Sequence, residues 1–310
     1  MLHDGTYVFA EREKVTIDSY IVRLEQQLQF LESQVIELLN GSTIEKYPDD
    51  PFAEVVMIRN DYHWGEGNES QKRLQLKLLR SYSSWFEQFQ LLFYDSPQDI
   101  QRQINQTHTA VKKWIEKESG WNVPSTIEEA KALFKEQLQT YYQMLQIFKT
   151  SGQMRVILVP DTNALIICPD VSRYGAAVEQ TAYTVVIVTT VLSELDKLKR
   201  DHRDIEFRNK VQAVIRRLKG LFHQGDIHEG VTVNKTVTVK TTAQGPDFTK
   251  TLSWLDPENN DDRIIAAALE VQREEPSNLV VLVTSDINHQ NKAIMAMLPY
   301  IEPPEPKNPE

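Results

Sequence analysis

Acidic side chains recur in the second half of the chain at the places where apolar runs end. Asp161 follows the run RVILVP, Glu194 lies in TTVLSELDKL shortly after a second run, and Asp286 follows LVVLVTS. Asp262 stands near the start of an apolar helical stretch, NNDDRIIAAALEVQ, directly after another aspartate. Carboxylates that meet at the ends of parallel strands can hold a metal ion that activates water for hydrolysis.

The type of metal follows from the ligands that these positions offer. Four ionised carboxylates close together would repel one another unless a cation lies between them. Their oxygens suit Mg²⁺ or Mn²⁺ better than Zn²⁺, and no histidine is suitably spaced for zinc; His202, His223 and His228 are expected at the surface. Cys168 is the single cysteine of the chain, which excludes a cysteine-based zinc cluster. We therefore expect Mg²⁺ or Mn²⁺ as the cofactor.

The elements that must position these acids alternate between strands and helices. Three β-branched runs predict strands at residues 155–159, 184–188 and 279–284, with helical stretches between them. The alternation indicates a parallel sheet with helices on its faces, and GVTVNKTVTVKTT predicts a small β-hairpin insertion. Because ligands bind beyond the carboxyl ends of the strands in such a sheet, the acids can share one cleft.

Other folds with acidic clefts do not fit these residues. A phosphatase of the haloacid-dehalogenase type needs a second aspartate two residues after the first, where this chain has Asn163. A dinucleotide-binding fold needs a glycine-rich turn after its first strand, and DTNALI contains no glycine. A receiver domain carries its acidic pair at the end of a strand, whereas Asp261 and Asp262 begin a helix.

Four segments, in this order, resemble the PIN-domain family of metal-dependent nucleases: VPDTNALI, VLSELDKLK, NNDDRIIAAAL and TSDINHQNKA. They cover roughly residues 153–300, and their sequences are most similar to those of the PIN domains of RNA-decay factors and PhoH-like proteins. The resemblance implies an α/β fold with a PIN-like parallel sheet sandwiched by helices. It also implies a magnesium- or manganese-dependent ribonuclease, of the endonuclease type, that hydrolyses RNA phosphodiester bonds.

The resemblance further implies roles for single residues. Asp262 is preferred over Asp261 as a ligand because Ile265 and Ala266 then stand where the family has its helix-facing apolar residues, but the doublet leaves this choice open. The positions that match the family's catalytic, metal-binding acids are Asp161, Glu194, Asp262 and Asp286. The residues that resemble the polar support of the site are Asn163, Asp261, Ser285 and Asn288.

A basic stretch follows Glu194 along the chain. Residues 197–219 contain nine Lys or Arg residues against three acids, although the formal net charge of the whole chain is −10. An acidic chain argues against indiscriminate nucleic-acid binding, but a local basic stretch can hold the phosphates of a single-stranded RNA substrate. A solvated helix face is the equally weighted alternative. The basic residues are Lys197, Lys199, Arg200, Arg203, Arg208, Lys210, Arg216, Arg217 and Lys219.

The first half of the chain predicts an all-helical N-terminal domain. Helices are expected at about residues 18–40, 70–94, 97–118 and 126–149. The first of them carries an apolar, heptad-like seam that either packs in a bundle or pairs with another chain. This domain is therefore the candidate surface for a homo-oligomer or a protein partner. The seam consists of Ile21, Leu24, Leu28, Leu31, Val35 and Leu38.

Length and composition set the remaining bounds. A chain of 310 residues can hold two domains, here 1–150 (helical) and 151–300 (PIN-like), followed by a Pro-rich tail at 301–310. A single cysteine fits a reducing compartment, and no apolar run approaches the roughly 20 residues that span a bilayer. The first residues lack a signal-peptide pattern. We expect a soluble, cytoplasmic protein without membrane contact.

Two functional hypotheses of different classes follow. The first is the ribonuclease, and the alternative is a PIN-type RNA- or protein-binding scaffold without catalysis, whose helical half docks a partner. Acids at all four matching positions favour the enzyme, because a scaffold has no need of mutually repelling clustered charge.

Overall fold

The computed structural model describes residues 18–47, 61–119, 123–149 and 153–305. Contacts divide the chain into two compact units, a largely helical one at residues 21–151 and an α/β one that contains residues 152–310. Residues 1–17 of the predicted helical domain and 306–310 of the predicted tail lie outside the described residues. That the two units are domains that fold independently stays a prediction.

The helical unit contains long helices at the predicted places. Two short strands, β1 (Ile44–Lys46) and β2 (Tyr62–Trp64), also pair there in antiparallel register, and three-residue strands are too short for a periodic pattern to predict. Within the described ranges, no helix is long and apolar enough to span a bilayer; a cytoplasmic location stays a prediction. The helices of this unit are α1 (Tyr20–Asn40), α2 (Glu69–Leu91), α3 (Gln98–Glu116) and α4 (Ile127–Gln146).

The apolar seam of α1 is buried within the helical unit. Leu28 and Leu31 are only 1% and 6% exposed. Trp85 of α2 donates a hydrogen bond from Nε1 to the carbonyl of Leu24 over 3.0 Å, which holds α2 against α1. The structure thus shows that the seam packs in a helical bundle and does not face outward for pairing with another chain. Because the seam is not free to pair with a second copy, it gives no support to self-association, and a protein partner at another surface of this unit stays a prediction.

The α/β unit is built on a mostly parallel sheet, as predicted. Within the described residues the sheet has six strands in the order β5-β6-β4-β3-β7-β8, and every neighbouring pair is parallel except β5 with β6. β3 and β7 are buried along their whole length, which explains their continuous β-branched and leucine-rich sequences. The strands are β3 (Val156–Pro160), β4 (Tyr183–Ile187), β5 (Val231–Asn234), β6 (Val237–Thr241), β7 (Leu279–Val283) and β8 (Tyr300–Ile301).

The position of β3 in this order creates the cleft. The chain passes from β3 to β4 on one side and reaches β7 on the other side only after the intervening helices, so the strand order reverses at β3. Ligands bind at such a switch point, beyond the carboxyl ends of the strands. The helices around the sheet are α5 (Thr162–Ile167), α6 (Thr189–Asp201), α7 (Ile205–Phe222), α8 (Asn260–Glu274) and α9 (Ile287–Met295).

Two details of the sheet differ from the sequence-based expectation. The predicted hairpin exists as β5 and β6, but it is not a separate insertion, because β6 pairs in parallel with the whole of β4 and extends the sheet. The predicted tail begins too early, because Ile301 belongs to β8, pairs with Val283 of β7 and is buried. Two residues of edge strand next to a proline-rich segment give no periodic signal.

Candidate metal centre

A cleft of about 360 Å³ opens at the carboxyl ends of β3, β4 and β7. The structure brings three of the four predicted ligands to it, one from each region that follows a central strand. Asp262 is the predicted ligand that does not line it. Among the described residues, the carboxylates that line the cleft are those of Asp161, Glu194, Asp201, Asp261 and Asp286.

Asp161 is fixed at the junction of β3 and α5. Its backbone N–H donates to the carbonyl of Val283 in β7 over 3.0 Å, so the strand pairing sets its position. Its side chain caps α5, with Oδ1 accepting a 2.6 Å hydrogen bond from the N–H of Ala164. The residue is only 4% exposed. Asp161 is therefore oriented by the backbone on both sides.

Glu194 projects from the middle of α6 and is held from two other helices. The hydroxyl of Thr162 in α5 donates a short hydrogen bond to Oε2. The side-chain amide of Asn260 in α8 donates to Oε1 over 2.7 Å. Both donors are neutral, so they fix the orientation of the carboxylate without offsetting its negative charge. Sequence reasoning missed both of these supporting residues.

Asp286 caps α9 at the end of the segment that follows β7. Its Oδ1 accepts hydrogen bonds from the N–H groups of Asn288 and His289 over 2.8 and 3.0 Å. Of the four predicted supporting residues, Asn163 and Asp261 line the cleft, whereas the exposed Ser285 and Asn288 do not. Asn288 thus contributes to the site with its backbone rather than with its side chain.

The aspartate doublet at the start of α8 is split between two environments. Asn259 caps the helix, and its Oδ1 accepts from the N–H groups of Asp261 and Asp262. Successive helical residues point about 100° apart, so only one of the two can face the cleft. The structure places Asp261 there, although the sequence favoured Asp262.

Asp262 is instead turned into the protein, where it is 5% exposed. Its Oδ1 lies 2.6 Å from Nζ of Lys292 in α9, and its Oδ2 accepts a 3.0 Å hydrogen bond from the N–H of Asp256. These contacts join the start of α8 to α9 and to the preceding loop. Asp262 is therefore placed to hold the start of α8 in position rather than to line the cleft.

Two histidines lie closer to the site than the sequence suggested. His289 is 1% exposed, and its Nδ1 is 3.4 Å from Oδ2 of Asp161, across 128 residues of sequence. The signal available in the sequence was its place three residues after Asp286. His202, expected at the surface, lines the cleft and is half-buried.

The donor set fits a hard divalent cation, although the side chains do not enclose one. Within the described part of the chain, no three His, Cys, Asp or Glu side chains converge closely enough to hold a metal ion. The cleft nevertheless offers five carboxylates and the amide of Asn163, all of them oxygen donors that suit Mg²⁺ or Mn²⁺. A carboxylate oxygen that accepts one hydrogen bond keeps a second lone pair for a cation.

The predicted RNA-binding residues are distributed unevenly around the cleft. Of the nine, Lys197 on α6 lines it. Arg217 forms a 2.7 Å ion pair with Asp170, and Lys210 forms a 3.2 Å pair with Glu206 on the same helix. Lys210 therefore fits the alternative of a solvated helix face, whereas Lys197 lies where it could bind a substrate phosphate.

Comparison with known proteins agrees with this geometry. Residues 158–300 match a family model described as a PIN domain. A comparison with curated proteins found no match. The matched range starts in β3, ends in β8 and contains every residue that lines the cleft. PIN domains are in general nucleases that act on nucleic acids and typically depend on divalent metal ions. The α/β unit of this chain therefore belongs to the PIN-domain family.

Proposed function

We propose that the protein is a metal-dependent endoribonuclease that hydrolyses RNA phosphodiester bonds in the cleft of its PIN domain. One observation carries the proposal: four carboxylates from separate segments, Asp161, Glu194, Asp261 and Asp286, line the same cleft at the switch point of the sheet. Clustered negative charge at that place is costly unless a cation offsets it.

The residues of the chain prepare the cleft for a bound Mg²⁺ or Mn²⁺. Asp161 and Asp286 are held by backbone amides at the starts of α5 and α9, and Glu194 is held by two neutral side chains. Fixed orientation lowers the reorganisation that binding and reaction require. When bound, the ion supplies an activated water and offsets charge at the attacked phosphate.

The substrate phosphates are proposed to follow the basic residues away from the cleft. Lys197 stands on the same helix as Glu194, three residues further on, and lines the same cavity. The side chains of Lys199, Arg200 and Arg203 are exposed and continue the positive charge along the chain. A flexible, single-stranded RNA backbone can follow such a path, and its binding should depend strongly on salt.

Neutralising exposed members of this stretch should weaken RNA binding without changing sequence preference. In the variant Lys199→Gln/Arg200→Gln/Arg216→Gln we expect weaker binding of every single strand tested. Each phosphate interaction that the variant removes should flatten the slope of log affinity against log salt by about 0.7. Fluorescence anisotropy titrations of unrelated RNAs at several salt concentrations measure both effects. Arg217 is left intact because it already forms an ion pair with Asp170.

A matched control separates a local interaction from a change in overall charge. Arg73, Lys77 and Arg80 are exposed on α2 of the helical unit, and changing them to glutamine removes the same charge. We expect the control to leave the salt slope unchanged. Equal losses of affinity in both triple variants would show that only net charge matters, and a loss confined to one RNA would indicate base readout.

The alternative is a PIN-type scaffold that binds RNA or protein without catalysis. One observation favours it: among the described residues, the acidic side chains line the cleft without converging to the distances of a metal site. A scaffold would keep the basic stretch and the helical unit as binding surfaces and would need no cation.

Cleavage assays with linear and circular labelled RNAs, and with single-stranded DNA, decide between these functions. We expect cleavage with Mg²⁺ or Mn²⁺, none with EDTA, and cutting of circular RNA, which requires an endonuclease. RNA that is bound but uncut with either metal would support the scaffold. Cleavage that persists in EDTA would exclude a metal-dependent mechanism.

A further inference from the structure

The rim of the cleft carries an aromatic side chain at the junction between α6 and α7. Of the described residues that line the cleft, His202 alone has an aromatic ring. We propose that this ring is a stacking platform for an unpaired base of the substrate. The inference rests on the proposed function, since it assigns a single-stranded RNA to the same cleft.

The ring of His202 is held in place by two independent contacts. Its Nδ1 accepts a 3.2 Å hydrogen bond from the backbone N–H of Asp204. One face lies against Phe207 in α7, with ring centroids 4.2 Å apart and planes inclined by 34°. A ring that is fixed before binding loses little conformational entropy when a ligand stacks on it.

The hydrogen bond also defines the polarity of the ring. Because Nδ1 accepts, the proton of the neutral imidazole is on Nε2, which stays a donor. The residue is half-buried and lines the cavity, so the ring is both supported and accessible. An aromatic face with a donor at its edge suits a nucleobase, which offers a π-face and acceptor atoms.

The neighbours of His202 point to a single strand as the ligand. Lys197 lines the same cavity five residues earlier, and Arg203 follows directly in sequence. A platform beside phosphate-binding charge matches a nucleotide whose base is turned out of a stack. In a duplex the bases are paired and stacked inside, so the platform would not contact them.

Three substitutions separate stacking from a structural role of His202. His202→Asn keeps an oxygen that can accept from the N–H of Asp204 but removes the ring. His202→Phe keeps the ring and removes the acceptor, and His202→Trp enlarges the stacking face. If His202 merely stabilised the α6–α7 junction, the asparagine and phenylalanine variants, which each remove one of its two contacts, would lose single-strand binding to a similar degree. If it stacks on a base, the asparagine variant is the most severe.

The binding experiment is made in EDTA, so that cleavage does not enter. With a single-stranded RNA that contains 2-aminopurine, we expect the wild-type protein to change the fluorescence of that base as it stacks. His202→Asn should weaken single-strand binding by about fivefold or more and remove the fluorescence change. His202→Phe and His202→Trp should bind within about twofold of wild type, and duplex RNA should not distinguish the variants.

The outcomes separate this inference from the proposed function. Single-strand binding that is unchanged in His202→Asn, or lost equally in His202→Phe, would overturn the stacking platform even if the wild type cleaves RNA. Binding with the expected fluorescence change, but without cleavage in any metal, would keep the platform and overturn the nuclease. A wild-type protein that binds no single strand would overturn both.

Discussion

Asp161→Asn is expected to leave the fold intact and to lower RNA cleavage by about a hundredfold or more. Asparagine keeps the shape of the side chain, and its oxygen can still accept the hydrogen bond from the N–H of Ala164 that caps α5. What it removes is the negative charge that the cation needs. Because neighbouring carboxylates repel one another without a cation, the free energy of unfolding of the metal-free protein should not fall.

Three measurements on the same preparation test this expectation: thermal unfolding, calorimetric titration with Mn²⁺, and cleavage of labelled RNA. Asp247→Asn is the matched control, since Asp247 also caps a short helix, with Thr249 as its partner, and is not among the residues that line the cleft. The control should bind and cleave as the wild type does. Mn²⁺ binding and cleavage that survive Asp161→Asn would remove the proposed metal site and favour the scaffold.

The sequence predicts the central strands well because their signal is local. The segment RVILV is a short run rich in β-branched residues before a proline, and a buried parallel strand is the structure that such a run favours. The strand that pairs with β6 cannot be predicted in the same way. Its alternating valines predict a strand, but alternation does not say that β4 lies beside it, since pairing depends on the whole topology.

For the site, the sequence indicates which acids follow the central strands, but it does not indicate which residues support them. Asp161, Glu194 and Asp286 each follow a central strand, and the topology of a parallel sheet is enough to bring such residues to one cleft. The supporting contacts have no comparable signal. Asn260 reaches Glu194 across 66 residues, and His289 reaches Asp161 across 128, so their proximity appears only when the chain is folded.

The sequence separates Asp261 from Asp262 only weakly. Both stand in the first turn of α8, and a rotation of that helix by one residue would exchange their places. The resemblance to the PIN family implies Asp262 as the ligand, because Ile265 and Ala266 then match the family's apolar positions. In the structure the carboxylate of Asp262 faces inward and pairs with the ammonium of Lys292 in α9, while Asp261 lines the cleft.

We therefore expect Asp261→Asn to affect mainly metal binding and cleavage, and Asp262→Asn to affect mainly stability. Asp261→Asn should lower Mn²⁺ affinity and cleavage strongly while the free energy of unfolding changes little, because Asp261 lines the cleft. Asp262→Asn should chiefly destabilise the protein. Removing one partner of a buried ion pair costs about 3–5 kcal/mol, and since the side chain of Lys292 is a quarter exposed we expect roughly 2 kcal/mol.

A double variant identifies the origin of that destabilisation. Asp262→Asn combined with Lys292→Gln removes both charges and leaves neither one unpaired, so part of the lost free energy of unfolding should return. Urea unfolding of the wild type, Asp262→Asn, Lys292→Gln and the double variant gives the coupling energy. Mn²⁺ titration and RNA cleavage are followed in parallel. The opposite pattern would be decisive. If Asp262→Asn abolishes Mn²⁺ binding at unchanged stability, and Asp261→Asn binds the ion as the wild type does, then Asp262 is the ligand and its pairing with Lys292 gives way to the cation.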